Sequence, residues 1–184
     1  GNHFMHTIRR NPDITNIVHN NMIYGLTKGQ ASPTSEKGLK NPIQPTGVIT
    51  EPFNPLAVAL SLGATFVARA FSGDIIQTKE IIKAAIQHTG YALVDVFQPC
   101  VVFNKQNTYQ WFKEKCYYVD EQYDKKDKMQ ALTLAFDENR LALGVIYEQQ
   151  GRPAYATLVR DGATPLYETQ LSKPTLEKLI DSYI

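Results

Sequence analysis

The spacing of apolar side chains switches repeatedly between a helical and an extended period along this chain. Phe4 and Ile8 lie four apart, which predicts one face of a helix over residues 1–11, ended at Asn11-Pro12 because the residue before proline disfavours helical backbone. Residues 14–20 read as a strand, with the β-branched Ile17 and Val18 as its buried end. Residues 28–52, rich in proline and glycine, read as a long loop, a feature that in compact domains is usually functional or disordered. Asn54 and Pro55 supply the N-cap and first position of a helix whose packing face carries Leu56, Leu60 and Gly63.

Residues 65–70 predict the next strand. Gly73-Asp74 then leads into a helix over 78–88, whose stripe pairs Ile81 with Ala85 and Ile82 with Ile86 until Gly90 stops it. Residues 91–97 are nearly continuously apolar, as a strand covered on both faces requires. Strands alternating with helices predict an α/β fold, a mostly parallel sheet flanked by helices. The TYQWFKEK run at 108–115 reads as helical, and the charge-rich residues 120–128 mark a linker or the solvated start of a helix. Beyond them the pattern predicts a helix over 129–136, a hairpin of residues 141–147 and 154–160, and a last helix over 174–184 capped by Ser172 or a neighbour. There is no internal repeat.

Composition narrows the class. With 184 residues, 43% of them hydrophobic and 20% charged, the chain can bury the core of one domain. A net charge of +1 offers no basic field for nucleic acid, and no apolar run is long enough to span a bilayer. With no secretory signal in view, the expectation is a cytoplasmic protein. Cys100 and Cys116, sixteen residues apart, match no compact metal motif and read as reduced, partly buried thiols.

The richest chemistry lies in IVHNNMIYGLTKGQASPTS, residues 17–35, where an apolar strand runs into a polar loop through paired asparagines. An Asn side-chain oxygen is a hard, neutral ligand suited to Mg²⁺, and the backbone carbonyl of Ile23, two residues past Asn21, can complete the grip. Gly25, Thr27, Lys28 and Gly29 offer backbone N–H groups, a hydroxyl and a cation to a phosphorylated ligand. Asn-Asn by itself reads more readily as an ordinary polar turn, since Asn and Gly occupy turns for conformational reasons alone. His3 and His6 share a helical face but lack a third ligand, and Arg9-Arg10 reads as a solvated helix end or a contact between subunits. His19 reads as a satisfied core histidine. Arg69 and Asp74, near a strand end, are either site residues or an ion pair within the fold.

NNMIYGLTKGQASPTS, with GNHFMHTIRRN before it and PFNPLAVALSLGATFVARAFSGD and QPCVVFN after it, closely resembles the β subunit of 2-oxoacid:ferredoxin oxidoreductases from residue 1 to about 118, and more loosely beyond. The resemblance implies a thiamine-diphosphate-binding fold over 1–118, incomplete at its amino terminus, and a carboxyl-terminal α+β extension over 119–184. In the family a Gly-Asp-Gly segment, whose aspartate binds the magnesium, lies just upstream of the residues that open this chain. The implied molecule is thus the carboxyl-terminal part of a longer polypeptide whose remainder holds three further cluster cysteines. The resemblance assigns Asn21 and Ile23 to Mg²⁺; Ile23, Gly25, Leu26, Thr27, Asn2 and His3 to thiamine diphosphate; and Lys28 to the 2-oxoacid or coenzyme A. Cys100 takes the place of the fourth ligand of a [4Fe–4S] cluster, which needs four thiolates.

The implied activity is oxidative decarboxylation of a 2-oxoacid to acyl-CoA and CO₂, with an α subunit as partner and ferredoxin as electron acceptor. No residue of this chain is expected to catalyse alone, since the activating carboxylate comes from the partner subunit in the family. A non-oxidative thiamine-dependent decarboxylase or synthase, or a non-catalytic module, are the alternatives.

Overall fold

In the computed structural model, which describes residues 1–159, 166–168 and 173–183, five strands form one sheet in the order β1-β3-β2-β5-β4. They are β1 (Ile14–Asn20), β2 (Phe66–Phe71), β3 (Tyr91–Phe97), β4 (Cys116–Tyr118) and β5 (Leu141–Glu148). The first three are mutually parallel through β3, β5 is antiparallel to β2, and β4 runs parallel to β5. The mostly parallel α/β fold expected from the alternating pattern is therefore present.

β3 is buried along its whole length because helices cover both faces. On one side α1 (Asn2–Arg10), α2 (Pro55–Ser61) and α5 (Lys128–Phe136) place Ile8, Leu60 and Ala131 against Val67, Tyr91 and Leu93. On the other, α3 (Ile75–Gln87) packs Ile81 and Ala85 on Phe66, Ala68, Val94 and Val96. Strand alternation puts Arg69 and Asp95 in line with Val67 and Leu93, on the first of these faces. Asn11 ties α1 to the sheet from a left-handed backbone (φ 52°): its Oδ1 accepts from Thr65 Oγ1 (2.9 Å) and Tyr91 N (2.9 Å), and its Nδ2 donates to the Pro153 carbonyl (3.2 Å).

Several expectations need correction. β1 ends the sheet among the described residues, so Ile17 is 36% exposed and not a buried strand end. His19 accordingly lies exposed, its Nδ1 2.7 Å from Gln98 Oε1, and is no core histidine. α3 starts at Ile75, three residues before the expected start at 78, because Asp74 caps it by accepting from Gln77 N (3.1 Å). α4 (Tyr109–Lys115) runs directly into β4, a strand the periodicity did not predict. The hairpin is absent: β2 and β4 occupy both edges of β5, and residues 155–159 form the short helix α6 (Tyr155–Val159), its first N–H donated to the Asn11 carbonyl (3.0 Å). Arg160, the far end of that hairpin, lies outside the described residues, as do Ser172 and Ile184 at the bounds of the last helix, α7 (Lys173–Asp181). No helix among the described residues is long and apolar enough to cross a membrane.

Candidate functional site

The polar turn after β1 is held by the sheet through one side chain. Asn20 is buried; its Nδ2 donates to Asp95 Oδ1 (3.0 Å), and its Oδ1 accepts from Met22 N (3.3 Å) and Thr34 Oγ1 (2.7 Å). Asp95, the lone carboxylate of β3, also accepts from Arg69 Nε (3.3 Å) on the neighbouring strand, where Arg69 stands over the Phe97 ring at 4.9 Å. Burial pushes the Asp95 carboxyl up, against the pull of Arg69 and Asn20 in the other direction. Arg69 thus pairs with Asp95 and not with Asp74, whose carboxyl caps α3 and is lowered first by the Tyr118 hydroxyl at 2.6 Å.

With both ends of the Asn20 amide committed, Asn21 is the asparagine left to face a ligand. Its Oδ1 accepts from Ile23 N (3.1 Å), which leaves one lone pair, and its side chain is half-buried. Ile23 is 3% exposed, and no donor among the described residues bonds its carbonyl. Two non-glycine residues with positive φ, Met22 (55°) and Lys28 (70°), bracket the turn, a concentration of strained backbone that marks functional loops. Tyr24 and Gln30 close it, with Tyr24 N donating to the Gln30 carbonyl (2.8 Å) and Gly29 N to the Tyr24 carbonyl (3.0 Å).

These residues line a cavity of about 560 Å³ bounded by Asn21, Gly25, Thr27, Ser32, Phe4 and Phe53. Of the site residues expected from sequence, the structure brings Asn21, Ile23, Gly25, Leu26 and Thr27 to this cavity. Asn2 and His3 are solvent-exposed on α1, and Phe4 is the residue of that helix on the cavity wall. Lys28 projects from the exposed rim beside Leu26, which is 99% exposed.

Cys100 lies directly behind Gly25: a Cβ on Gly25 would stand 3.6 Å from Cys100 Sγ and 3.8 Å from Asn21 Nδ2, so glycine lets sulfur and amide approach across it. Burial raises the Cys100 thiol, but hydrogen bonds from the backbone N–H groups of Phe103, Asn104 and Val102, aided by Lys105, outweigh it and bring the group below its ordinary value. Cys116 is pushed up by burial to about 11, with only a partial offset from Arg69. Both cysteines are free, and among the described residues no cluster of three His, Cys, Asp or Glu could hold a metal ion. A neutral amide oxygen beside an unpaired carbonyl suits Mg²⁺ and a cysteine sulfur suits iron, but the donors present complete neither shell.

Sequence reasoning missed Asp95, Thr34 and Asn104. A single carboxylate within the apolar run at 91–97 was the available signal for Asp95. Asn104, which donates from Nδ2 to the Asn21 carbonyl (3.3 Å), had none.

Comparison with known proteins bears on the family and the fold. Residues 1–96 match the family described as thiamine pyrophosphate enzyme, C-terminal TPP binding domain, and residues 100–162 match the family of the C-terminal region of the pyruvate ferredoxin oxidoreductase beta chain. A 2-oxoacid:ferredoxin oxidoreductase subunit beta from Sulfolobus sp is 36% identical over 188 residues, spanning 96% of this chain and 62% of the relative. The corresponding protein of Saccharolobus solfataricus is 42% identical over 160 residues, 80% of this chain and 52% of its own. Among solved structures, a 2-oxoglutarate:ferredoxin oxidoreductase from Magnetococcus marinus with 2-oxoglutarate, coenzyme A and succinyl-CoA bound superposes with a TM-score of 0.86 at 33% identity, covering 100% of this chain and 62% of that one. The chain therefore spans between about half and three fifths of these relatives.

Proposed function

Because the chain belongs to the thiamine pyrophosphate enzyme family, and within it to the β subunits of 2-oxoacid:ferredoxin oxidoreductases, we propose that it supplies the cofactor anchor of a complex that oxidatively decarboxylates a 2-oxoacid to acyl-CoA and CO₂ and passes the electrons to ferredoxin. The observation that carries the reading is the Asn21–Thr27 turn, with its unpaired Ile23 carbonyl, lining a cavity with the Cys100 sulfur set behind Gly25. Thiamine diphosphate, when bound, supplies the nucleophile for the 2-oxo carbon and the electron sink for loss of CO₂.

The chain's own contribution is grip and placement. Asn21 Oδ1 and the Ile23 carbonyl give Mg²⁺ two oxygen ligands, and the remaining shell comes from outside the described residues. Gly25, Leu26 and Thr27 present backbone N–H groups and a hydroxyl to the diphosphate, while Asn2 and His3 approach from the start of α1. Lys28 meets the carboxylate of the 2-oxoacid or a phosphate of coenzyme A from the rim. Cys100 gives one thiolate of a [4Fe–4S] cluster whose other ligands are not among the described residues. An α subunit is the partner. A reducing compartment, the cytoplasm, suits the two free thiols, and the division of the chain near residue 118 separates cofactor domain from extension.

Calorimetric titration of the cofactor-stripped complex with Mg²⁺ and thiamine diphosphate tests the anchor. Asn21→Ala should weaken binding by about ten- to a hundredfold, the usual consequence of disturbing a metal's immediate surroundings. A complex that binds no thiamine diphosphate, or an Asn21→Ala variant of undiminished affinity, would count against it.

A further inference from the structure

A second cavity, of about 330 Å³, adjoins the one at the Asn21 turn and shares Asn20, Thr34, Phe53 and Pro55 with it. Arg69 lines this second cavity, is 5% exposed and is held on two sides: its Nε donates to Asp95 Oδ2 (3.3 Å), and its guanidinium lies over the Phe97 ring at 4.9 Å. A guanidinium carries five N–H donors, and Nε accounts for one. Among the described residues no acceptor meets the other four, and neither Nη atom is sealed off, so both open on the cavity that Arg69 lines. The indole N–H of Trp111, on the same cavity, also has no acceptor among the described residues. The oxygens of the wall, by contrast, are engaged. Asp95 accepts from Asn20 and Arg69, Asn20 Oδ1 from Met22 N and Thr34, and Glu36 Oε2 from Gln106 Nε2 (2.6 Å).

This imbalance specifies a ligand. A buried cation with unmet donors costs stability unless something accepts from them. Two neighbouring Nη groups match the two oxygens of one planar anion, the fork by which arginine holds a carboxylate. Met22, Phe97 and Leu141 add apolar wall, which suits a hydrocarbon body behind that group. Charge sets the upper limit. Asp95 already balances Arg69, and Glu36, Asp137 and Glu138 outnumber Lys37, itself paired with Glu51, so a multiply charged anion such as phosphate is opposed.

We propose that this cavity is a second ligand site, which takes a small carboxylate of single negative charge with an apolar body, its two oxygens set on the Nη groups of Arg69. The site is additional to the cofactor anchor and does not depend on what the Asn21 turn holds.

Photolabelling of the complete complex with 4-azidobenzoate tests it, the adducts being located by peptide mass spectrometry. Label is expected on the segments that carry Trp111 and Leu141. Benzoate should suppress it at concentrations about tenfold or more below those that phosphate needs, and saturating Mg²⁺ with thiamine diphosphate should leave it in place. Arg69→Lys keeps a cation for Asp95 but loses the fork, and it should raise the benzoate concentration for half protection by about tenfold, as loss of one hydrogen bond to a charged group does. Glu138→Gln, at an exposed position, should lower that concentration by about twofold or less. If Arg69→Lys fails to assemble, Trp111→Phe, which removes one donor and keeps an aromatic wall, should raise it by about fivefold. Unchanged protection in the variant that assembles would overturn the site. So would label confined to Asn21, Lys28 or another subunit, label that thiamine diphosphate displaces, or phosphate that protects as well as benzoate.

Discussion

Two segments of this molecule each present one cysteine, and their backbones treat the sulfur in opposite ways. In the loop at 98–108, burial works against ionisation of Cys100, yet three backbone N–H groups turned toward it win. At the start of β4, Cys116 is pushed to about 11 by burial although the Arg69 guanidinium pulls the other way. The difference follows from where the peptide N–H groups go. At β4 the Cys116 N–H donates to the Phe112 carbonyl at the end of α4, and the strand pairs in register with β5, Cys116 opposite Leu141. In the loop no strand claims the N–H groups. A nearby cation already committed elsewhere, as Arg69 is to Asp95, makes a poorer thiolate than several amides at close range.

The contrast is broken most severely at the level of iron. In the complete complex, Cys100→Ala should abolish the iron of the proposed cluster, whereas Cys116→Ser should leave iron content unchanged. Loss of iron from the second variant alone would exchange the roles of the two segments. A smaller but still large effect is expected in alkylation. With iron removed, at pH 8 about one Cys116 in a thousand is ionised if its value is about 11, while an ordinary thiol at 9.0 is ionised in about one case in ten, and Cys100 lies below 9.0. Because the thiolate of lower value is also the weaker nucleophile, mass spectrometry of iodoacetamide adducts should find Cys100 modified about tenfold faster or more.

The same shifts carry opposite signs for stability. The raised Cys116 value contributes stability that is complete below 9.0 and lost as pH climbs toward about 11. The lowered Cys100 value contributes stability present above 9.0 and lost as pH falls through its folded value. Urea midpoints should thus decline from pH 9 to 11 more steeply for the wild type than for Cys116→Ser.

What the sequence made legible follows the range of the interactions involved. The burial of β3 could be read because seven adjacent positions report one environment, and α2 because Asn54 and Pro55 cap it locally, Asn54 Oδ1 accepting from Ala57 N at 3.0 Å. The pairing of β5 with β2 and β4 could not, since an alternating strand carries no signature of its partner, and a hairpin was the nearest local solution. The exposure of β1 depended on its place at the sheet's end, which its β-branched residues do not encode. The turn at 20–29 was legible as a polar turn from its residue types, whereas a magnesium and phosphate role for it came from the resemblance of the longer string. Asn104 was not, because a donor that meets a carbonyl 83 residues away leaves no local trace.

The smallest expected effect separates charge from backbone as the origin of the contrast. Lys105 is exposed, its Nζ donates to the Val101 carbonyl (2.7 Å), and its charge is the weakest of the influences that lower the Cys100 thiol. A solvated cation acts through a high dielectric and is screened by salt, whereas amides in direct contact with the sulfur are not. Lys105→Gln should therefore slow alkylation of Cys100 by about twofold or less, and that difference should vanish near 1 M salt, where the Debye length is about 3 Å. The gap between Cys100 and Cys116 should survive the same salt. If Lys105→Gln or added salt instead closed most of that gap, the cation would be setting the Cys100 thiolate, and the two segments would differ in their neighbours and not in how their peptides are spent.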